Sequence, residues 1–120
     1  MVVVVSDLSD PADWQGPLAR LAQRHDVVVA QVVDPRELVL PDVGVLRLVD
    51  PQTGRQLDVP TGSATLRRRY AEAAAARQER HAQTCRAAGA GHLVLRTDGD
   101  WLRDLAAYLT RRRRTRGVVR

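Results

Sequence analysis

Ser6 and Asp7 follow a run of four valines, Asp34 follows "DVVVAQVV", and Thr97 and Asp98 follow "HLVLR". Each apolar run reads as a buried strand that ends in oxygen-bearing side chains. If the strands are parallel, these residues meet at one sheet edge, beyond the strands' carboxyl ends. Open α/β sheets bind their ligands there. Asp7, Asp10 and Asp34 together would make an oxygen-rich cluster suited to a hard cation such as Mg²⁺. A plainer role competes, because Asp or Thr after a strand commonly caps the next helix. Capping is the favoured role for Asp34 and Asp98. Asp7 is harder to assign that way, since Asp10 already stands at the cap position.

Other residue types form no comparable set. His25, His81 and His92 lack metal-ligand spacing, so structural roles are expected for them. "GAGH" precedes a strand, whereas a phosphate-binding loop follows one. No Ser/His/Asp or Cys/His arrangement is indicated by position. Cys85 is the lone cysteine, which rules out an internal disulfide. It falls inside a helical pattern and is expected to fill space.

The elements that must position these residues are legible. Val2–Val5 is the first strand. In "SDPADW", Asp10 is read as an N-cap, Pro11 as the first helical residue and Asp13 as a first-turn acid. Trp14, Leu18, Leu21 and Ala22 fall on one face of a helix ending near Arg24. Residues 27–33 form a second apolar strand, parallel to the first because a helix connects them. "DPRELVLP" is an ordered turn. "VGVLRLVD" and "RQLDV" alternate about "PQTG" and predict a β-hairpin. A long helix spans about Thr65 to Ala88, capped by Ser63 or Thr65 and ended by Gly89. Its stripe is Leu66, Tyr70, Ala73 or Ala74, Arg77, His81 and Cys85. Residues 92–96 are the third buried strand. A closing helix follows, with Asp98 as its cap and Trp101, Leu105 and Leu109 inward. The domain is taken as residues 1–116, with 117–120 a frayed tail.

Composition narrows the class. The chain has 120 residues, no Phe and few aromatics, so Val, Leu and Ala must supply the core of a single domain. All 19 basic residues are Arg. Residues 1–60 carry a net charge of −4 and residues 61–120 a net of +9, an asymmetry that can mark a nucleic-acid or acidic-partner surface. "RRR" at 67–69 and "RRRR" at 111–114 have no interleaved aromatics, which disfavours a base-stacking surface. No apolar run approaches the ~18–20 residues of a membrane span, and "MVVVV" is short for a signal-peptide core. No membrane contact and a cytoplasmic location are expected.

The ordered set "SD" after the valine strand, "RHDV", "DPRE", "LPDVG", "VDPQTGR", "RRRYAEAAAAR" and "LRTDGDWLRDL" is similar to the carboxyl-terminal half of the bacterial domain-of-unknown-function family fifty-eight. That family resembles von Willebrand factor type A domains and is typically encoded beside MoxR-type AAA+ ATPases. The resemblance implies an α/β fold: a partial type A-like, Rossmann-like three-layer sandwich. It would hold three parallel strands, a β-hairpin and three helices. It also implies that Val2–Val5 is an interior strand whose neighbour lies outside these residues. A type A metal-ion-dependent adhesion site combines an Asp-x-Ser-x-Ser loop, a Thr and an Asp after the fourth strand. Only the last has a counterpart here, Asp7, with Ser6 beside it. No cofactor is therefore expected on this chain alone, and Mg²⁺ belongs at most to a complete domain.

Three functional classes follow. The leading one, implied by the resemblance, is a non-enzymatic interaction module serving a MoxR-type ATPase in complex assembly or maturation. Its partner surface would include Asp10, Asp34, Thr97 and Asp98. The second is a nucleic-acid-binding protein using the Arg-rich half. The third is a metal-dependent phosphoesterase built on Asp7, Asp10 and Asp34, for which the three-residue spacing in "SDLSD" is poor support. The bare valine edge is also expected to make the chain self-associate or partly melt unless something covers it.

Overall fold

The computed structural model describes residues 1–10 and 12–119, with side chains through Thr115 outside position 11. In chain order the elements are β1 (Val2–Ser6), α1 (Gln15–Arg24), β2 (Val27–Val33), a 3₁₀ turn (Pro35–Glu37), β3 (Val45–Val49), β4 (Gln56–Pro60), α2 (Ala64–Ala87), β5 (Gly91–Arg96) and α3 (Trp101–Val119). They fall into two compact units, Met1–Pro35 with Glu79–Arg120, and Arg36–Gln78.

In the first unit β1, β2 and β5 form a parallel sheet in the order β1-β2-β5. β2 is central because it is apolar on both faces: Val27, Val28, Val29 and Ala30 are all fully buried. Side chains alternate across a strand, so Val27 and Val29 face one way and Val28 and Ala30 the other. The first face packs against Leu18 of α1 and against Cys85 and Ala88 at the end of α2 and just beyond it, with Val2, Val4, Trp14 and Leu21 around them. Burying one such valine is worth about 1.5–3 kcal/mol. Cys85 fills space in this core, and burial pushes its thiol pKa up.

The second face lies against α3. Gly91, the register partner of Val28, marks how closely the helix approaches. A Cβ there would sit 2.5 Å from the Tyr108 hydroxyl and 2.6 Å from Arg112 Nη1. Arg112 also donates through Nε and Nη2 to Asp26 Oδ1, at 3.0 and 2.8 Å. That pair ties α3 to the residue just before β2.

The second unit holds the expected hairpin, with β3 and β4 antiparallel from Val45↔Pro60 to Val49↔Gln56. Thr61 is fully buried below it. Its hydroxyl donates to Gly44 O and accepts the Val43 N–H, fixing the entry to β3. Arg67 Nη1 donates to Thr61 O at 2.7 Å and lies 3.5 Å from Asp42 Oδ2. Tyr70 donates to Glu37 O.

Several expectations change. α1 starts at Gln15, after Trp14, so Asp10 is not its N-cap; Pro11 lies outside the described residues. Asp7, Asp10 and Asp13 each accept the N–H two residues on, from Ser9, Ala12 and Gln15. Three Asx turns in succession keep the chain out of the helix. Ser63, not Thr65, caps α2 through the Leu66 N–H. Gly89 ends it at φ 77°. Ala74 is buried, whereas Ala73 and Arg77 are exposed. Asp100, not Asp98, caps α3 by accepting the Arg103 N–H. Trp101 is 51% exposed rather than inward, while Leu105 and Leu109 are half-buried. α3 includes residues 117–119, assigned above to the tail, and Arg120 lies outside the described residues. β1 has β2 as its only strand neighbour among the described residues, in keeping with the expectation that its other neighbour is not among them.

Candidate functional site

Because the three strands run parallel, their carboxyl ends share one rim. Ser6 and Asp7 leave β1 there, Asp34 leaves β2, and Thr97 and Asp98 leave β5. The Thr97 N–H donates to Val33 O at 3.0 Å, extending the β2–β5 ladder to the point where both chains turn away.

The rim is acidic, yet its carboxylates serve local structure. Ser6 Oγ accepts the Leu8 N–H and Asp7 Oδ1 accepts the Ser9 N–H, both at 3.0 Å. Between them Leu8 takes a left-handed φ of 57°, uncommon outside glycine. That turn buries the Leu8 side chain in the core while leaving Asp7 exposed. The backbone N–H and then the hydroxyl of Ser9 hold the Asp7 carboxyl below its usual pKa. Asp98 is gripped by a forked pair, Arg96 Nε to Oδ1 at 3.0 Å and Nη2 to Oδ2 at 3.1 Å. The Arg96 hydrogen bond lowers the Asp98 pKa, and the negative charge of Asp34 opposes that shift. Asp34 and Asp98 thus lie in each other's field, whereas Asp7 and Asp10 are each bonded within their own loop.

Asp7 alone does not fit Mg²⁺, which needs several placed oxygens in an octahedron. Among the described residues no group of three or more His, Cys, Asp or Glu side chains is arranged to hold a metal ion. Beside the rim, a largely apolar cavity of about 330 Å³ runs under α1, lined by Val4, Ser6, Leu8, Trp14, Leu18 and Leu21 among others.

A polar network that spacing did not reveal lies on the sheet's first face. Gln31 is 3% exposed in the middle of β2. Its Nε2 donates to His81 Nδ1 at 3.3 Å, and its Oε1 accepts from His92 Nε2 at 2.8 Å. Trp14 tilts against the His81 ring, with centroids 6.2 Å apart. Burial, reinforced by the neighbouring His81, lowers the His92 pKa. A polar residue inside "VVVAQVV" was the available signal, because a buried amide needs partners.

With a three-strand parallel sheet, a two-strand antiparallel sheet and three helices, the chain is mixed α/β. Residues 1–80 match the family described as protein of unknown function DUF58, and the chain belongs to that family. It is 44% identical over 114 residues to the uncharacterized protein MAV169 of Mycobacterium avium, an alignment covering 95% of this chain and 67% of that protein. It is 43% identical over 114 residues to the uncharacterized proteins Rv1480 of Mycobacterium tuberculosis and Mb1516 of Mycobacterium bovis. The chain covers 36% of each of those two relatives. No solved structure matches the chain. Among the described residues no helix is long and apolar enough to cross a membrane.

Proposed function

We propose that this chain is a non-enzymatic interaction module, the carboxyl-terminal part of a von Willebrand factor type A-like domain. It docks a MoxR-type AAA+ ATPase through the carboxyl rim of its sheet. The observation that carries this reading is the rim itself. Exposed Asp7, Asp10 and Asp98, with half-buried Asp34, stand on loops held by a rigid three-strand sheet. Loops placed by a rigid scaffold are where recognition concentrates, and complementary charge there steers encounter. Family membership supports the ATPase as partner through the resemblance set out above. Mg²⁺, if a complete domain binds it, would draw Asp7 and Ser6 from this part.

The nucleic-acid alternative rests on the Arg-rich half, of whose arginines Arg67, Arg86, Arg96 and Arg112 pair with carboxylates of this same chain.

The test is retention of a purified MoxR-type ATPase on the immobilised 120-residue chain. Wild type is expected to retain it. The double variant Asp7→Lys, Asp10→Lys is expected to weaken retention about tenfold, two rim charges having been reversed. No retention by wild type, or retention indifferent to both substitutions, contradicts the proposal.

A further inference from the structure

Gln31 stands between two imidazoles, and its amide has one donor edge and one acceptor edge. Nε2 donates to His81 Nδ1 at 3.3 Å, and Oε1 accepts from His92 Nε2 at 2.8 Å. These bonds fix the tautomers. His81 Nδ1 carries no proton, so the ring proton of the neutral form is on Nε2. His92 carries its proton on Nε2. The three side chains come from α2, β2 and β5, with Gln31 buried at the centre.

One amide can satisfy one imidazolium of this pair but not two. A proton arriving at His81 Nδ1 meets the Gln31 amide N–H, donor against donor. Turning the amide over removes the conflict. Oε1 then accepts from His81 Nδ1–H, and Nε2 points at His92 Nε2. That nitrogen must now be an acceptor. The His92 proton therefore moves to Nδ1 by exchange with solvent, which reaches this half-buried ring. One proton has entered and both hydrogen bonds are remade. A second proton, on His92 Nε2, would set two donors against each other again, and a buried polar group deprived of its partner destabilises the fold.

We propose that Gln31 makes His81 and His92 a one-proton switch: His81 takes the proton, the amide turns over, and His92 is held neutral. Two observations select His81. Trp14 stands against its ring with centroids 6.2 Å apart, close to the ~6 Å at which an aromatic ring favours a cation. Burial, and then the charge of His81, hold the His92 pKa low. The other ionisable groups on the surrounding elements are engaged elsewhere or exposed. On α2, Cys85 is buried with its thiol pKa raised, and Arg77, Glu79 and Arg80 are exposed. Before α1, Asp7, Asp10 and Asp13 are exposed and each bonded within its own loop. Beyond β2 and β5, Asp34 lies in the field of Asp98, which Arg96 holds. Trp14 leads into α1 directly after the Asp7–Asp13 turns, so the switch sets its charge against the end of that rim loop.

Nitrogen NMR of the imidazole rings tests this on the 120-residue chain, from about pH 8 to about pH 5, with far-UV circular dichroism confirming that each variant is folded. In the wild type His81 is expected to become imidazolium while His92 stays neutral. The His92 proton is expected to move from Nε2 to Nδ1 in step with the titration of His81. In His81→Gln the new amide can pair with Gln31 in either orientation, so His92 is released from the limit. Its proton affinity is expected to rise at least about tenfold, one pH unit. In Gln31→Glu a carboxylate accepts from both sides, and both rings are expected to become imidazolium. Both rings charged together in the folded wild type overturn the proposal, as does His92 charged beside a neutral His81. So does a His92 that keeps its Nε2 proton while His81 titrates, or one whose affinity is unmoved in His81→Gln.

Discussion

Arg112→Ala is expected to destabilise the chain by about 2–3 kcal/mol, a fall of roughly 10 °C in Tm. The Asp26–Arg112 pair is mostly buried, with side chains 13% and 20% exposed. Arg112 gives two hydrogen bonds to one oxygen of Asp26, and that pairing raises its own pKa. Deleting one partner strands the other charge in a poorly hydrated site, which costs more than the pair contributes when intact. The estimate sits below the 3–5 kcal/mol of a fully buried pair because some solvent reaches both groups. The substitution also removes the side chain against Gly91 that sets the approach of α3 to the sheet. Thermal melts of Arg112→Ala, Asp26→Asn and the double variant check the assignment. A double variant no worse than either single one is expected. Strict additivity would show that the two residues act separately.

Gln31→Leu is the second large effect, at about 2–4 kcal/mol. Leucine is near in size, so the loss is polar: both imidazoles lose the amide that bonded them. Depriving a buried polar group of its partner costs about 1–3 kcal/mol. The same network makes stability depend on pH. Burial holds the folded-state pKa of His92 below the ordinary histidine value of about 6.5, so in the window beneath that value the unfolded chain binds more protons than the folded one. Stability is then complete above about pH 6.5 and falls as pH drops below it. The slope is at most about 1.4 kcal/mol per pH unit for this one proton. Urea melts at pH 7.5 and at pH 5.5 should differ in this direction for wild type. His92→Gln should reduce the difference. A wild-type midpoint that rises on acidification, or a His92→Gln dependence equal to wild type, contradicts the assignment.

How far the sequence could be read depended on whether a signal was local. Short apolar runs gave all three core strands, VVVV in β1, VVVAQVV in β2 and LVL in β5, because such runs bounded by polar and turn residues have few other uses. The ends of α2 were accurate to a residue, since Ser63 and Gly89 act through their own backbone neighbourhood. The start of α1 was misjudged where three signals of one kind stood in a row. Asp10 and Asp13 suit a cap, but each also closes an Asx turn two residues on, and composition does not separate the two uses. Asp98 was displaced as a cap by Arg96, two residues before it, which holds both its oxygens. The parallel rim was legible, since it needed only strand order and direction. The Gln31 network was not, because its members stand 50 and 61 positions apart in the chain.

Amide exchange with and without a MoxR-type AAA+ ATPase measures most directly whether the carboxyl rim is the docking surface. The Ser9, Ala12, Thr97 and Gly99 amides, which brace the turns after β1 and β5, are expected to slow when the ATPase is added. No slowing at these four positions, or slowing confined to α3, would place the partner elsewhere.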